Sequence, residues 1–372
     1  MRKLRNVIIA VLISAGGIYL VSVGNAKPIA PGLKVSVLVS DSGELSFAGP
    51  IQRAAARVAV SDLAQAKNPV RVEVSFIDVG DTQSQRQRAI ARLRAIATDV
   101  VIAPIESQSA EALVEANTQS PIPIIAPSSL EDDLGSKSAK PWLFRLATSP
   151  SQDSYALAEL ISRAKPKSTL VVSSSQSIAR AQQRSVSFGL AMAGIRVTNL
   201  GIKDVKTIQK SSPDALALFS MGESIEFFQT LETWVAKVPK FYLVPGNMAD
   251  YSGYPWAKVL EGAQAISPRE DIPAAFRSDL AKAMGNKALT GPRSNAVLGL
   301  GKRTYDGLKI AAEALLKAKN STPEALRQAI SSAQRESKPL FDRHGFFDQG
   351  EYSIFRYGAN GTFSLSSVTG QN

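Results

Sequence analysis

From residue 34 onward, short β-branched runs alternate with longer stretches of helical periodicity, and the alternation occurs twice. Residues 34–40 (KVSVLVS) read as a buried strand. Residues 49–67 are Ala-rich with apolar positions at helical spacing, and residues 70–79 (VRVEVSFIDV) alternate as a strand does. Asp81 is placed to cap the next helix, where Ile90, Leu93 and Ile96 form one face. Strand is expected at 99–104, helix at 107–118, strand at 122–126 and a short extended piece at 142–145. The pattern then restarts, with strands at 168–173, 195–200, 215–220, 240–244 and 262–267. The helices between them are expected at 151–164, 178–193 and 225–238. Two helical stretches follow, near 294–319 and 323–334, and an antiparallel pair surrounds the Asn360-Gly361 turn.

Two successive βαβ series imply two parallel-sheet lobes with helices on both faces. The helical remainder has too few strands for a third such domain, so it is expected to return and cover the first lobe. The chain then crosses between lobes more than once and leaves a cleft. The expected division is 33–146 plus 268–345 for lobe 1, and 147–267 plus 346–372 for lobe 2. Ligands in such sheets sit at the carboxyl ends of strands. Polar turn residues fall there, among them Ser42, Gln108, Ser129, the 174–176 loop and Asn247. Each is also an ordinary turn former.

Composition narrows the chemistry. With 44% hydrophobic residues the chain has the means to build packed cores. No cysteine is present, which excludes disulfides, a thiolate nucleophile and cysteine-ligated metal, and a single histidine excludes a His-rich metal site. No cofactor is expected. The formal charge of +11 points to nucleic acid, an anionic membrane surface or an anionic ligand.

Residues 1–26 have the layout of a secretory signal peptide. Arg2, Lys3 and Arg5 precede an almost entirely apolar run at 7–23, and Gly24-Asn25-Ala26 supplies small residues at a cleavage point. An uncleaved membrane anchor is the rival, weakened as a helix by Gly16-Gly17. Cleavage would remove three of 43 basic residues, leaving 40 against 32 acidic ones, formally +8. An exported chain does not meet DNA, so nucleic acid is not an expected partner, and no helix-turn-helix precedes the lobes.

Several segments resemble a known family in order and wording. VSVLVSDSGELSFAG is similar to its opening strand and Ser-Gly turn, and DVVIAPIESQSAEALVEA to its third strand, with Ala103 in place of a glycine. PIPIIAPSSLEDDL, FRLATSPSQDSYALAELI, AVLGLGKRTYDGLKIAAEALLKA and FDRHGFFDQGEYSIFRY follow in the same order. Over about residues 33 to 368 the chain resembles the type I periplasmic binding proteins, specifically the leucine/isoleucine/valine-binding receptors of ABC importers. That resemblance implies two doubly wound α/β lobes joined by a multi-strand hinge. It also implies a small solute held in the cleft and handed to a membrane permease, a monomer, and a place in the periplasm.

Carried over residue by residue, Ser107 matches the serine that hydrogen-bonds the ligand carboxylate. Ser128 and Leu130 match the loop that completes the carboxylate pocket, though Leu130 lacks the hydroxyl often found there. Phe47, or alternatively Ala48, lies where an aromatic residue walls the pocket, and Met221 where lobe 2 offers another. The acidic residue that receives a ligand ammonium is missing, since Pro245-Gly246-Asn247 follow the KFYLV strand. A buried ammonium without a counter-charge costs several kcal/mol. An uncharged, aromatic or simple carboxylate solute is therefore expected over a free α-amino acid. Ser107 also fits a helix N-cap, and Tyr251, Tyr254 and Trp256 fit either a pocket lining or a cover for lobe 2.

An enzyme is not expected. A Ser-His-Asp set would need His344, no Gly-x-Ser-x-Gly elbow occurs, and Gly299-Leu300-Gly301-Lys302 lacks phosphate-loop spacing. A second reading stays open: an envelope sensor or partner-binding protein of the same fold that delivers no solute.

Overall fold

The protein is described by a computed structural model covering residues 10–14, 17–21, 32–43, 45–118, 120–128, 130–135, 142–220, 227–229, 240–243, 251–270, 272–285, 294–318, 320–335, 338–342, 345 and 351–369. Near the start, β1 (Ala10–Ser14) and β2 (Gly17–Val21) pair antiparallel as a separate hairpin. Their Val and Ile content suits strand. No helix among the described residues is long and apolar enough to cross a membrane.

The first series gives β3 (Gly32–Val39), α1 (Ala48–Gln65), β4 (Arg71–Asp78), α2 (Gln83–Ala95), β5 (Val100–Ile102), α3 (Ser107–Ala116), β6 (Ile124–Ala126) and β7 (Leu143–Arg145). The strands form a parallel sheet in the order β4-β3-β5-β6-β7. Alternation along β3 decides which face each residue joins. Val35, Val37 and Val39 pack toward α1 on one face, while Leu38 joins the core under α2 and α3 on the other.

The second series gives α4 (Pro150–Arg163), β8 (Ser168–Ser173), α5 (Ser177–Met192), β9 (Arg196–Gly201), α6 (Val205–Lys210), β10 (Ala215–Phe219), β11 (Phe241–Leu243) and β12 (Gln264–Pro268). Strands β9-β8-β10-β11-β12 are parallel. The chain then leaves for α7 (Ala274–Ala283), α8 (Ser294–Ala318), α9 (Pro323–Ser331) and the short pair β13 (Gln334–Arg335) and β14 (Lys338–Pro339). Finally β15 (Tyr352–Tyr357) joins β12 antiparallel, and β16 (Phe363–Val368) joins β15. The expected terminal pair therefore extends the second sheet.

Helix α8 returns to the first sheet, as its composition suggested. Leu308, Ala311, Ala312 and Leu315 bury against Leu33, Val35 and Ile102. At Gly307 a Cβ would stand 3.1 Å from Ile102 and 3.3 Å from Ile125, so this glycine lets the helix lie close on the strands. The result is two α/β lobes with the chain passing between them after β7, after β12 and before β15.

Some expectations are corrected. The cap of α2 is Thr82, not Asp81. Its hydroxyl accepts the Gln85 N–H at 3.3 Å, and Gln85 Oε1 accepts the Thr82 N–H at 3.0 Å. This capping box satisfies two end donors at once. The short piece at 142–145 contains a full fifth strand, β7. Helices α6 and α7 were not anticipated. Most of the helix expected at 225–238 lies outside the described residues.

Candidate interlobe site and hinge

The carboxyl ends of β3, β4, β5 and β6 deliver four loops to one rim of lobe 1. The β3 loop is tightly tied. Asp78 at the end of β4 accepts the Asp41 N–H at 3.0 Å, the Ser42 hydroxyl at 3.2 Å and the Gly80 N–H at 3.2 Å. Arg53 of α1 pairs with Asp41 and stacks over Phe76 at 4.7 Å. Gly49 N–H donates to Ser40 O at 3.0 Å, and a Cβ at Gly49 would collide with the Asp41 carboxylate. Only glycine allows the start of α1 to sit this close to the strand end.

Ser42 is half-buried and Phe47, immediately before α1, is 37% exposed. Ser107 opens α3, but the N-cap is Glu106, so the capping role expected for Ser107 is corrected. The Ser107 hydroxyl instead accepts the Glu131 N–H at 3.2 Å, and the Ser128 hydroxyl donates to Ile105 O at 3.3 Å. These serines stitch the β5 and β6 loops to each other. Gln108 is exposed. Leu130 is fully buried in the core under α2 and α3, so its side chain lines no cleft. Its carbonyl accepts from Arg145 at 3.0 Å, and Arg145 also reaches Glu131 O at 2.9 Å. Ser129, Met221, Asn247 and His344 lie outside the described residues.

On lobe 2 the β8 loop buries Ser173 and Ser174 and exposes Ser175 and Gln176. Tyr251 and Trp256, each 2% exposed, belong to an aromatic core with Phe228, Phe241 and Tyr357. They pack lobe 2 and do not line the cleft. The Gly299–Lys302 stretch is mid-helix, with Lys302 bound to Asp306 at 2.6 Å.

Where the crossings meet, buried charge joins them. Asp153, in the first turn of α4, accepts from Thr148 at 2.6 Å and from Tyr352 at 3.1 Å. Thr148 belongs to the first crossing and Tyr352 ends the third. Burial pushes the Asp153 carboxyl up to about 6, against the two hydrogen bonds and the positive Arg303, which hold it down. Burial also raises the Tyr352 phenol, with the facing Asp153 adding to the effect. Arg303 of α8 pairs with Glu270 of the second crossing and donates to Pro127 O at 2.5 Å. Burial lowers its guanidinium to about 10, although Asp153 and Asp306 oppose that shift. Arg269 and Glu351 bridge the second and third crossings at 2.5 Å. A cavity of about 250 Å³ lies among Leu146, Thr148, Pro268, Glu270 and Arg303. The lobes also touch directly through Ser151, which donates to Asp132 at 2.8 Å.

This network was missed from sequence. Thr148 and Asp153 stand within the FRLATSPSQDSY wording, but their partners at 303 and 352 are far along the chain and no local pattern marks them. Among the described residues no cluster of His, Asp and Glu is arranged to hold a metal.

The architecture has many solved counterparts. A solute-binding protein of an ABC transporter from Rhodopseudomonas palustris BisB5, in complex with 3,4-dihydroxybenzoic acid, superposes with a TM-score of 0.75 at 15% identity, covering 91% of this chain and 97% of its own. A leucine-binding protein from Thermotoga maritima MSB8 gives 0.70 at 15% identity, covering 90% and 98%. A second R. palustris solute-binding protein, in complex with 4-hydroxybenzoate, gives 0.72 at 13% identity, covering 90% and 95%. No curated protein matches the sequence. A family model described as periplasmic binding protein matches residues 32–352, nearly the whole two-lobed body, and the chain belongs to that family, in its type I fold.

Proposed function

We propose that this protein is the extracytoplasmic receptor of an ABC importer, closing its lobes over a small solute and presenting it to a membrane permease. The lobes divide at 33–146 plus 268–345 and 147–267 plus 346–372, and residues 1–26 export or anchor the chain. Solute chemistry follows from the lobe 1 rim. Three of its carboxylates are occupied: Asp41 by Arg53, Asp78 by three donors, and Glu106 by the Ser109 hydroxyl at 2.6 Å and by Arg86 at 3.8 Å. A ligand ammonium would find none of these three free, and no acidic residue follows β11 before Asp250. This observation carries the choice of a carboxylate or uncharged solute. The likeness to receptors of hydroxybenzoates supports an aromatic acid.

Ser42, Phe47, Ser107, Gln108, Ser128, Ser129, Leu130, Met221 and Asn247 remain the proposed lining, with Leu130 restricted to its main chain. Calorimetric titration with benzoate, 4-hydroxybenzoate, leucine, valine and glutamate tests the reading. Binding of a benzoate and none of the amino acids is expected; micromolar binding of leucine sinks the solute assignment. The internal use of the Ser107 and Ser128 hydroxyls favours the second reading, an envelope sensor or partner protein. Native mass spectrometry that finds no co-purified small molecule, together with no heat from any titrant, would establish that reading instead.

A further inference from the structure

The positive charge of the chain is not spread evenly. Residues 159 to 210 contain nine lysines and arginines and two acidic residues, a surplus of seven out of the +8 left after residues 1–26 are set aside. In the fold this stretch forms one border of lobe 2. Strand β9 is the edge of the seven-stranded sheet, with α5 packed beside it and α6 following.

Helix α5 is firmly seated. Gln183 Nε2 donates to Val171 O of β8 at 2.9 Å and to Leu200 O of β9 at 3.0 Å, and Ser187 bonds Asn199 at 2.7 Å. Seating that face turns Arg180, Arg184, Phe188 and Met192 outward at four-residue spacing, along about 18 Å of helix. Phe188 is 60% and Met192 75% exposed, and Tyr155 of α4 stands near them, half exposed. Across from Arg180 and Arg184, Lys203 completes a groove of about 430 Å³ that also includes Ser175, Asn199 and Asp204, whose carboxylate is held by the Gly201 N–H at 2.9 Å. Among the described residues none of these three cations has an acidic partner in salt-bridge range. Like charges four apart on a helix repel, so the arrangement is a net cost to the isolated protein.

Charged residues at a sheet edge discourage edge-to-edge pairing, and that accounts for Arg196. It does not account for an exposed phenylalanine and methionine beside unpaired arginines. A helix face that carries arginines in its first half and protruding apolar residues in its second has the composition of one that lies in a lipid interface. The charge is spread over α5, β9 and α6 rather than gathered on one element. A fluid surface of anionic headgroups meets such a distribution better than a protein face with fixed carboxylates.

We propose that the β9 edge of lobe 2, with the outward face of α5, docks the protein on an anionic lipid bilayer. Arg180, Arg184 and Lys203 take phosphate headgroups in the groove, and Phe188, Met192 and Tyr155 enter the headgroup layer. The proposal is independent of which solute the cleft holds.

The test is co-sedimentation of residues 27–372 with phosphatidylcholine vesicles, with and without phosphatidylglycerol. Binding is expected only to the phosphatidylglycerol vesicles, and it should weaken as salt rises. Arg180→Glu with Arg184→Glu should lower the partition by about tenfold or more. Phe188→Ser with Met192→Ser should lower it at unchanged charge. Arg88→Glu with Arg92→Glu, an equal change on exposed positions of α2, should leave most of it intact. Circular dichroism confirms that each variant is folded. Absence of binding to phosphatidylglycerol vesicles overturns the proposal. So does equal loss in the α2 variant, which would indicate net charge alone, or unaltered binding of the α5 variants. Inorganic phosphate at the concentration of lipid phosphate should not displace the protein; displacement would indicate a free-anion site and also overturn it.

Discussion

Asp153 is a carboxylate buried at the junction of two crossings, 4% exposed and shared by Thr148 and Tyr352. Its carboxyl rises from an ordinary 3.8 to about 6 because desolvation outweighs its hydrogen bonds and Arg303, and Asp132 pushes the same way. The folded protein therefore holds a proton over that interval that the unfolded chain has lost. The contribution of this group is full below 3.8 and is lost as pH rises through 6, at a cost of about 3 kcal/mol. Asp153→Asn keeps an oxygen acceptor and removes the charge. Its urea midpoint is expected to exceed the wild type's at about pH 8, with the gap shrinking toward about pH 4. A variant less stable at both pH values would show that the carboxylate itself is required. Site residues divide similarly between readable and hidden. Ser107 and Ser128 were legible as strand-end serines, because turn chemistry is local. Their commitment to the Glu131 N–H and the Ile105 carbonyl was not, since it depends on loops brought together by the sheet.

At the scale of elements, strands β3 and β8 were legible because parallel sheets buried on both faces produce short, dense β-branched runs, and β4 because its exposed face leaves an alternating pattern. Helices α6 and α7 were missed because six to ten residues give too few turns for a periodicity to emerge. The segment that returns from lobe 1 to lobe 2 also acts as an element. Gly345 accepts the Arg145 N–H at 2.9 Å and so covers the outer edge of β7. Its φ is +76°, and a Cβ there would run into the Leu143 carbonyl. Gly345→Ala is expected to lose about 1–2 kcal/mol from the left-handed backbone alone, and more from the collision. Urea denaturation would register it as a lowered midpoint with unchanged slope. An unaltered midpoint would mean the crossing is not held in this conformation.

For the whole molecule, the two βαβ series foretold the lobes, and the strand-poor remainder foretold the return to lobe 1. The antiparallel addition of β15 to β12 was out of reach, because nothing local names a partner strand. It makes the lobes interdependent. The lobe 1 core contains Leu308, Leu326 and Phe341, while the lobe 2 cores contain Tyr352, Ile354 and Tyr357. Ending the chain after residue 345 would leave β12 an open edge. Calorimetry is expected to find no lobe 2 transition in that truncation; a retained one would mean that β15 and β16 are ornament.

The same threading sets a timetable for folding. Lobe 1 cannot close its core before the residues of α8 and α9 arrive, and lobe 2 cannot complete its sheet before the final strands do. A chain still being synthesised thus lacks a finished domain until its last segments have followed.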